Sequence, residues 1–208
     1  SSDLNSIPEL MEDIEKFVHN DKLFFPELLK IALIHYQFET IHPFLDGNGR
    51  TGRLMITLYL VSRGILKRPI LYLSDYLEKH RNSYYTNLMH VRVDNNIIDW
   101  FRFFLTGIIE TAENGVKTFE EILSLQKENE DKVKLLGSRS ANALKVLTEL
   151  YKRPITDANM VAGIADISTA SAYTLIANLE KIGILSEVTG GKRGRVYILK
   201  KYFDIFNR

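Results

Sequence analysis

The stretch HPFLDGNGRTGR, residues 42–53, combines a glycine-rich turn with a histidine, an aspartate and two arginines. Gly47 and Gly49 flank Asn48, a residue type that tolerates left-handed backbone, so successive backbone N–H groups can point into one concavity. The apolar run that follows, residues 54–61, predicts a helix. A helix N-terminus directly behind the turn would add partial positive charge and unpaired amides, so the stretch predicts a phosphate-binding site.

The charged side chains of this stretch suit the same ligand. Arg50 and Arg53 are three positions apart, which on a helix places both guanidinium groups on one side, where they can grip a polyphosphate. His42 can accept a proton near neutral pH. A carboxylate that faces phosphates is the usual protein ligand of Mg2+, so we expect Asp46 to bind the metal.

A dinucleotide-binding turn is the competing interpretation, because Gly47, Gly49 and Gly52 formally match GxGxxG. That motif must follow a strand in a βαβ unit, whereas residues 26–41 have the spacing of a helix that Pro43 ends. The sequence therefore predicts a turn between two helices in a mainly α fold. His35 lies two helical turns before His42, where we expect a packed structural histidine, with positioning of the site as the alternative.

Residues 42–53 resemble the signature of Fic-domain proteins, His-x-Phe-x-Asp/Glu-Gly-Asn-Gly-Arg-x-x-Arg, and match every fixed position. The segments ALIHYQFETI, residues 32–41, and SDYLEKHRNSYYTNLMHVR, residues 74–92, also look like that family. The resemblance implies a helical Fic core that acts as an enzyme, a protein adenylyltransferase. Such a nucleotidyltransferase moves AMP from ATP to a Ser, Thr or Tyr hydroxyl of a target protein and releases pyrophosphate.

The resemblance also implies a role for each residue of the site. His42 would be the catalytic base and Asp46 the ligand of Mg2+. The nucleotide and its phosphates would be bound by Gly47, Asn48, Gly49, Arg50, Arg53, Tyr84 and Tyr85. The two tyrosines would form the nucleoside pocket, although a packed aromatic face explains them equally well. Relatives with this fold can use other donors or remove AMP; a kinase-like variant replaces the second glycine, so Gly49 favours nucleotidyl transfer.

Regulation in Fic proteins often depends on an inhibitory helix with the pattern Ser/Thr-x-x-x-Glu-Gly/Asn. We expect this helix and the target-positioning flap to be largely missing from residues 1–137, because both usually precede the first core helix. Ser124 to Asn129 match the pattern on the other side of the core, which makes Glu128 a candidate inhibitory residue.

Gly137 and Ser138 mark a predicted boundary between the Fic core, residues 1–137, and a small domain, residues 138–208. Three predicted helices followed by a β-hairpin give the second domain a resemblance to a winged helix-turn-helix. The hairpin tip offers Lys192, Arg193 and Arg195 to DNA phosphates. So few cations predict weak DNA binding unless the protein forms a homodimer, and a protein-docking role for the domain stays open.

Composition sets the remaining limits. The 208 residues are 45% hydrophobic and 25% charged, as in an ordinary globular protein, and contain no cysteine. No apolar run approaches the roughly 20 residues needed to span a bilayer, so we expect a cytoplasmic protein without a membrane partner. The second domain is net basic and the first net acidic. This asymmetry keeps one alternative open, a DNA-binding transcriptional regulator whose Fic core senses nucleotide or removes AMP from a modified target.

Overall fold

The computed structural model describes residues 6–191 and 194–207, and this part of the chain is mainly α-helical, as the sequence predicts. The helices are α1 (Ile7–Val18), α2 (Glu27–Ile41), α3 (Asn48–Ser62), α4 (Leu73–Lys79), α5 (Arg81–Asp94), α6 (Ile97–Lys134), α7 (Ser140–Lys152), α8 (Ala158–Ala165), α9 (Thr169–Lys181) and α10 (Lys200–Phe206). The strands are β1 (Ile155–Thr156), β2 (Ser186–Glu187) and β3 (Tyr197–Ile198).

The chain divides into two compact units, Ser1–Gly115 and Val116–Arg208. The sequence places the boundary later, between residues 1–137 and 138–208. The difference arises because the last turns of α6 belong to the second unit, where Val133 is fully buried in its core. Two domains therefore remain our interpretation, with the end of α6 assigned to the second.

Helix α2 is the centre of the first unit. Its buried side chains face several directions at once, as expected of a helix that neighbours surround. They are Lys30, Ile31, Ala32, Ile34, His35, Phe38 and Ile41. Helices α1 and α3 both pack against α2. The indole N–H of Trp100, on α6, donates to the Ala32 backbone carbonyl at 3.0 Å, and this tryptophan is fully buried.

Lys30 is a buried cation that stabilises the end of α1. Its ammonium donates to the backbone carbonyls of Val18 at 3.1 Å and Asn20 at 3.3 Å. Unpaired carbonyls at a helix C-terminus carry partial negative charge, so a cation is favourable there. The ammonium also lies 5.6 Å from the centre of the Phe17 ring. These contacts fix α1 to α2 and hold the central helix that leads to His42.

Two helix boundaries that the sequence predicts differ from the structure: an N-cap at Ser74 for one helix to about Arg92, and separate helices for the aromatic segment around Trp100 and for residues 117–136. Ser74 is not an N-cap, since α4 already begins at Leu73 and a break at His80 separates it from α5. The aromatic helix that begins near Trp100 does not end before the charged one, because α6 is a single helix of 38 residues. Gly115 lies inside α6, and an added Cβ there would have nothing within 4 Å.

The second unit contains the end of α6, the helices α7 to α10 and a small sheet around one core. Asp157 caps α8 by accepting from the Asn159 and Met160 amides at 2.8 and 2.9 Å, and Ser168 caps α9 through the Ser171 amide at 3.2 Å. The strand order is β1-β3-β2, and both pairs are antiparallel.

The predicted hairpin is therefore present, but its strands are shorter than the sequence suggests. Its pairing brings Ser186 opposite Ile198 and Glu187 opposite Tyr197. Strand β1 and helix α10 were not predicted. Lys192 and Arg193 lie outside the described residues.

None of the described helices is by itself long and apolar enough to cross a bilayer. The pair α8 and α9 meets the length and composition test only when the two are taken together across a bend of 103°.

Candidate active site

A cavity of about 310 Å³ opens in the first unit where α3 begins. Its walls come from the turn before α3, from the start of α3 itself, from α4 and from α5. They are formed by His42, Leu45, Asp46, Gly47, Asn48, Gly49, Arg50, Arg53, Leu77, Glu78, Arg81, Tyr84 and Tyr85. The cavity thus brings the residues of the signature together with the two tyrosines that only the resemblance suggested.

His42 occupies the C-cap of α2. Its backbone is left-handed, with φ 54° and ψ 58°, and its N–H donates to the Phe38 carbonyl at 2.9 Å. Few non-glycine residues adopt this conformation, although histidine does so more readily than most. Pro43 follows and does not continue the helix. The chain therefore leaves α2 at His42, and the exposed imidazole lies at the wall of the cavity.

Asn48 closes the turn between α2 and α3. Its side-chain Oδ1 accepts from the Phe44 N–H at 2.9 Å, and its Nδ2 donates to the Phe44 carbonyl at 2.6 Å. The residue is only 2% exposed. The sequence interpretation gave this side chain to the phosphates, whereas the structure uses it to hold the backbone of the turn.

Backbone amides are presented where α3 begins. The first helical bond runs from the Thr51 N–H to the Gly47 carbonyl, at 2.9 Å. The N–H groups of Asn48, Gly49 and Arg50 therefore have no acceptor one turn earlier in the helix. Gly47 has φ +86°, a conformation that favours glycine. Together with the helix dipole, these donors make the cavity attractive to an anion.

Asp46 and Arg50 form an ion pair at the opening of the cavity. Oδ2 of Asp46 lies 3.1 Å from Nη2 of Arg50, while Oδ1 accepts from the Gly47 N–H at 2.7 Å. The side chains are 92% and 75% exposed, so the pair contributes little to stability. Both groups can therefore exchange this partner for a ligand at low cost.

Arg53 is on α3, and its guanidinium group lies close to Gly49 at the start of that helix. A Cβ built on Gly49 would lie 3.1 Å from Nη1 of Arg53. A side chain at position 49 would push the guanidinium group away, so glycine there keeps Arg53 close to the free amides.

Tyr84 is anchored to the helix that carries the histidine. Its hydroxyl lies 3.0 Å from Nε2 of His35, and both residues are buried. Burial lowers the pKa of His35 to about 4, so the imidazole is neutral at neutral pH. Burial also raises the pKa of Tyr84, which therefore keeps its proton. His35 is thus both a packed histidine and a support for a residue of the cavity wall.

Tyr85 presents an exposed aromatic ring to the cavity. The ring centre lies 5.2 Å from that of Tyr84 and 5.8 Å from the guanidinium carbon of Arg81. Sequence reasoning missed Arg81, although a signal was present, because Arg81 precedes Tyr85 by four positions and so shares its helix face. Its positive charge adds to that of the two signature arginines.

Metal binding has only a partial basis in the protein itself. Within the described ranges, no group of three or more His, Cys, Asp or Glu side chains is arranged to hold an ion. Asp46 offers one exposed carboxylate to the cavity. A single carboxylate suits Mg2+ that takes its other ligands from water and substrate phosphates. Asp46 therefore fits a Mg2+ ion that the protein and its substrate bind together.

Residues 2–60 match the sequence profile described as the Fic/DOC family. This part of the chain is similar to Fic/DOC proteins. Over 61 residues the chain is 41% identical to a probable protein adenylyltransferase of Aquifex aeolicus (strain VF5), an alignment that covers 29% of the chain and 18% of the relative. Over 126 residues it is 35% identical to the protein adenylyltransferase Fic of Drosophila virilis, covering 58% of the chain and 24% of that protein. The chain therefore spans less than a quarter of the length of either relative.

The fold is also that of a Fic protein. The crystal structure of a Fic family protein from Desulfovibrio desulfuricans G20 aligns with 96% of this chain and 56% of its own, with a TM-score of 0.54 and 19% sequence identity. At this identity the likeness concerns the fold alone.

The other candidate residues lie in the second unit and do not line this cavity. Glu128 is paired with Lys132 at 2.6 Å and Lys201 at 2.9 Å, and hydrogen bonds from both lysines lower the pKa of its carboxyl to about 2. Arg195 is exposed and its Nε donates to the Gly191 carbonyl at 2.9 Å. The inhibitory role of Glu128 and the DNA contacts of Arg195 stay predictions.

Proposed function

We propose that the chain transfers AMP from ATP to a Ser, Thr or Tyr hydroxyl of a target protein, with release of pyrophosphate. One observation carries the proposal: a single cavity holds a candidate base, a candidate metal ligand, free backbone amides and three arginines. Adenylyltransferase is also the name of the Fic relatives described above. Transfer at phosphorus depends mainly on positioning and neutralisation of charge, which these groups supply.

The base and the phosphate-binding groups have separate roles in the reaction. His42 removes the proton of the target hydroxyl, whose oxygen attacks the α-phosphorus as the bond to pyrophosphate breaks. The amides of Asn48 and Gly49 stabilise negative charge on the phosphate oxygens, and Arg50 and Arg53 grip the leaving pyrophosphate. Donors that are already fixed in place cost little reorganisation during the reaction.

The nucleoside would bind against the tyrosines. The exposed ring of Tyr85 offers a face for a base to stack on, while Tyr84 is held by His35 and shapes the wall behind it. Mg2+, held by Asp46 and the phosphates, would neutralise part of the charge on the triphosphate.

The activity test determines which phosphate of ATP is transferred to the target protein. The protein is incubated with Mg2+ and ATP labelled at the α-phosphate, with a mixture of candidate target proteins, and modified proteins are analysed by mass for added AMP. We expect the α label to be incorporated and the γ label not to be. Incorporation from the γ position alone would show phosphorylation instead and refute AMP transfer.

The matched control is His42→Ala. It removes the base but leaves the amides, Arg50 and Arg53 in place, so ATP binding measured by calorimetry should persist while transfer is lost. Transfer that persists in His42→Ala would show that another group is the base.

We further infer that residues 138–208, within the second unit, form a winged helix-turn-helix domain. In support, α8 and α9 are joined by a short turn and cross at 103°, within the range typical of that motif, and the β2–β3 hairpin follows. A DNA-binding regulator therefore stays the second candidate function. Binding of random duplex DNA that weakens steeply with salt would support this function. If Arg195→Gln bound DNA with the same affinity as wild type, Arg195 would not be one of the DNA contacts.

A further inference from the structure

A buried carboxylate oxygen lies beneath the signature turn. Oε1 of Glu39 is inaccessible to solvent and has no hydrogen-bond partner among the described residues. A Cβ built on Gly52 would lie 2.6 Å from it, so α3 passes directly over this oxygen. Burying a carboxylate oxygen without a donor costs free energy, and such an atom in a folded protein calls for an explanation.

The position of Glu39 connects the two halves of the site. Glu39 lies on α2 three positions before His42, the C-cap, whose N–H still bonds to the Phe38 carbonyl, so the two residues are neighbours at the end of the helix. Gly52, which lies over the carboxylate, is followed by Arg53. The carboxylate therefore lies between the candidate base and the helix that presents the phosphate-binding groups.

Four charged or titratable groups surround this carboxylate. His35 on α2 lies beside the same position at Gly52, and His42 at the C-cap of α2, Arg53 on α3 and Tyr84 on α5 are close enough to interact with it electrostatically. Burial raises the pKa of Glu39, while the charges of His42 and Arg53 lower it. His35 is neutral and hydrogen-bonded to Tyr84, which leaves His42 as the neighbour whose charge changes during the proposed reaction.

We propose that Glu39 is a positioning residue whose negative charge stabilises the imidazolium formed when His42 accepts the target proton. This inference rests on the proposed AMP transfer. The O–H bond of the target hydroxyl breaks and its proton moves to a ring nitrogen of His42. The new O–P bond replaces the bond to pyrophosphate, which leaves with the electron pair. Glu39 remains a carboxylate throughout and touches no substrate.

A carboxylate in this place makes the histidine a better base. Negative charge near an imidazole favours its protonated form and so raises its affinity for the proton it must take. The deeper position of Glu39 keeps it out of reach of phosphates, whereas exposed Asp46 is free to bind the metal. The two carboxylates, Glu39 on α2 and Asp46 on the turn, thus have separate roles because their exposure differs.

The first test measures His42 directly and does not depend on activity. The five histidines are followed by NMR as a function of pH, and His42 is assigned from the spectrum of His42→Gln. In Glu39→Gln, which keeps the side-chain volume, we expect the pKa of His42 to fall by roughly one unit relative to wild type. Glu39→Asp should give a smaller decrease. The matched control is Glu15→Gln, an exposed glutamate on α1, which should leave His42 unchanged.

The second test uses the transfer assay. Glu39→Gln should lower kcat by about ten- to a hundredfold with little change in the KM for ATP, and should move the acid limb of the pH profile of kcat/KM to lower pH. Glu39→Asp should recover part of the rate.

Two results would overturn the inference. An unchanged His42 titration in Glu39→Gln would show that the carboxylate does not act on the base. A rate that falls with an unaltered pH profile, or with a raised KM for ATP, would show that Glu39 only packs beneath Gly52. If wild type transfers no AMP at all, the proposed function fails, and the NMR titration alone still decides whether Glu39 acts on His42.

Discussion

Acidification should destabilise the first unit through one buried histidine. His35 is fully buried, and its pKa is lowered from 6.5 to about 4. The unfolded chain therefore binds a proton at higher pH than the folded chain does. Stability is fully present above pH 6.5 and is lost as the pH falls through 6.5 towards 4.

The size of the effect follows from that shift. The full difference corresponds to about 3 kcal/mol, and about 2 kcal/mol of it should be lost between pH 7 and pH 5. Glu39 works in the opposite direction, because burial raises its pKa and protonation relieves its cost at low pH. A comparison with His35→Gln, which keeps Glu39 but has no titrating ring, isolates the contribution of the histidine.

The single tryptophan provides the assay. Trp100 is buried in the first unit, and its ring stacks on His35 with centres 6.1 Å apart. Its fluorescence during urea unfolding therefore reports on this unit and not on the second. We expect the wild-type free energy of unfolding to fall by about 2 kcal/mol more than that of His35→Gln between pH 7 and pH 5. Parallel pH dependences in the two proteins would refute the argument, since they would mean that His35 titrates normally.

Three further changes test the packing and capping described above. Gly52→Ala would place a Cβ 2.6 Å from Glu39 Oε1, so the first unit should lose about 1–3 kcal/mol in the tryptophan assay; an unchanged urea midpoint would show that α3 is not held that close. Gly107→Ala would place a Cβ 2.5 Å from the Tyr76 ring and should cost a similar amount by the same assay; an unchanged urea midpoint would show that the ring turns aside without loss. Asp157→Ala removes the cap of α8 and should cost about 1 kcal/mol by circular dichroism, whereas Asp157→Asn should not; equal losses in both would assign the effect to charge instead of capping.

The signature, residues 42–53, is the part of the molecule whose local structure could be predicted from the sequence. Its glycines, proline and apolar run act locally, so the end of α2, the turn and the start of α3 follow from nearby residues alone. The direction of a side chain does not follow so easily. Asn48 turns inward because the Phe44 backbone is close enough to satisfy both ends of its amide, and no pattern of spacing encodes that distance.

Elements that depend on distant partners were also missed. Strand β1 has two residues and exists only because it pairs with β3, more than 40 positions later. So short a strand has no periodicity from which it could be predicted. Glu39 was overlooked for a related reason. Its spacing from His42 was visible, but its burial depends on Gly52 of the next helix.

The two hydrogen bonds between Asn48 and the Phe44 backbone have a consequence for the thermodynamics of nucleotide binding. A turn that is already closed by its own side chain has little conformational entropy left to lose when a triphosphate arrives. Much of the interaction energy of the amides can then appear as affinity or as stabilisation of the transition state. In an anion site made from a flexible glycine loop, part of the binding free energy would offset the entropy lost when the loop becomes ordered.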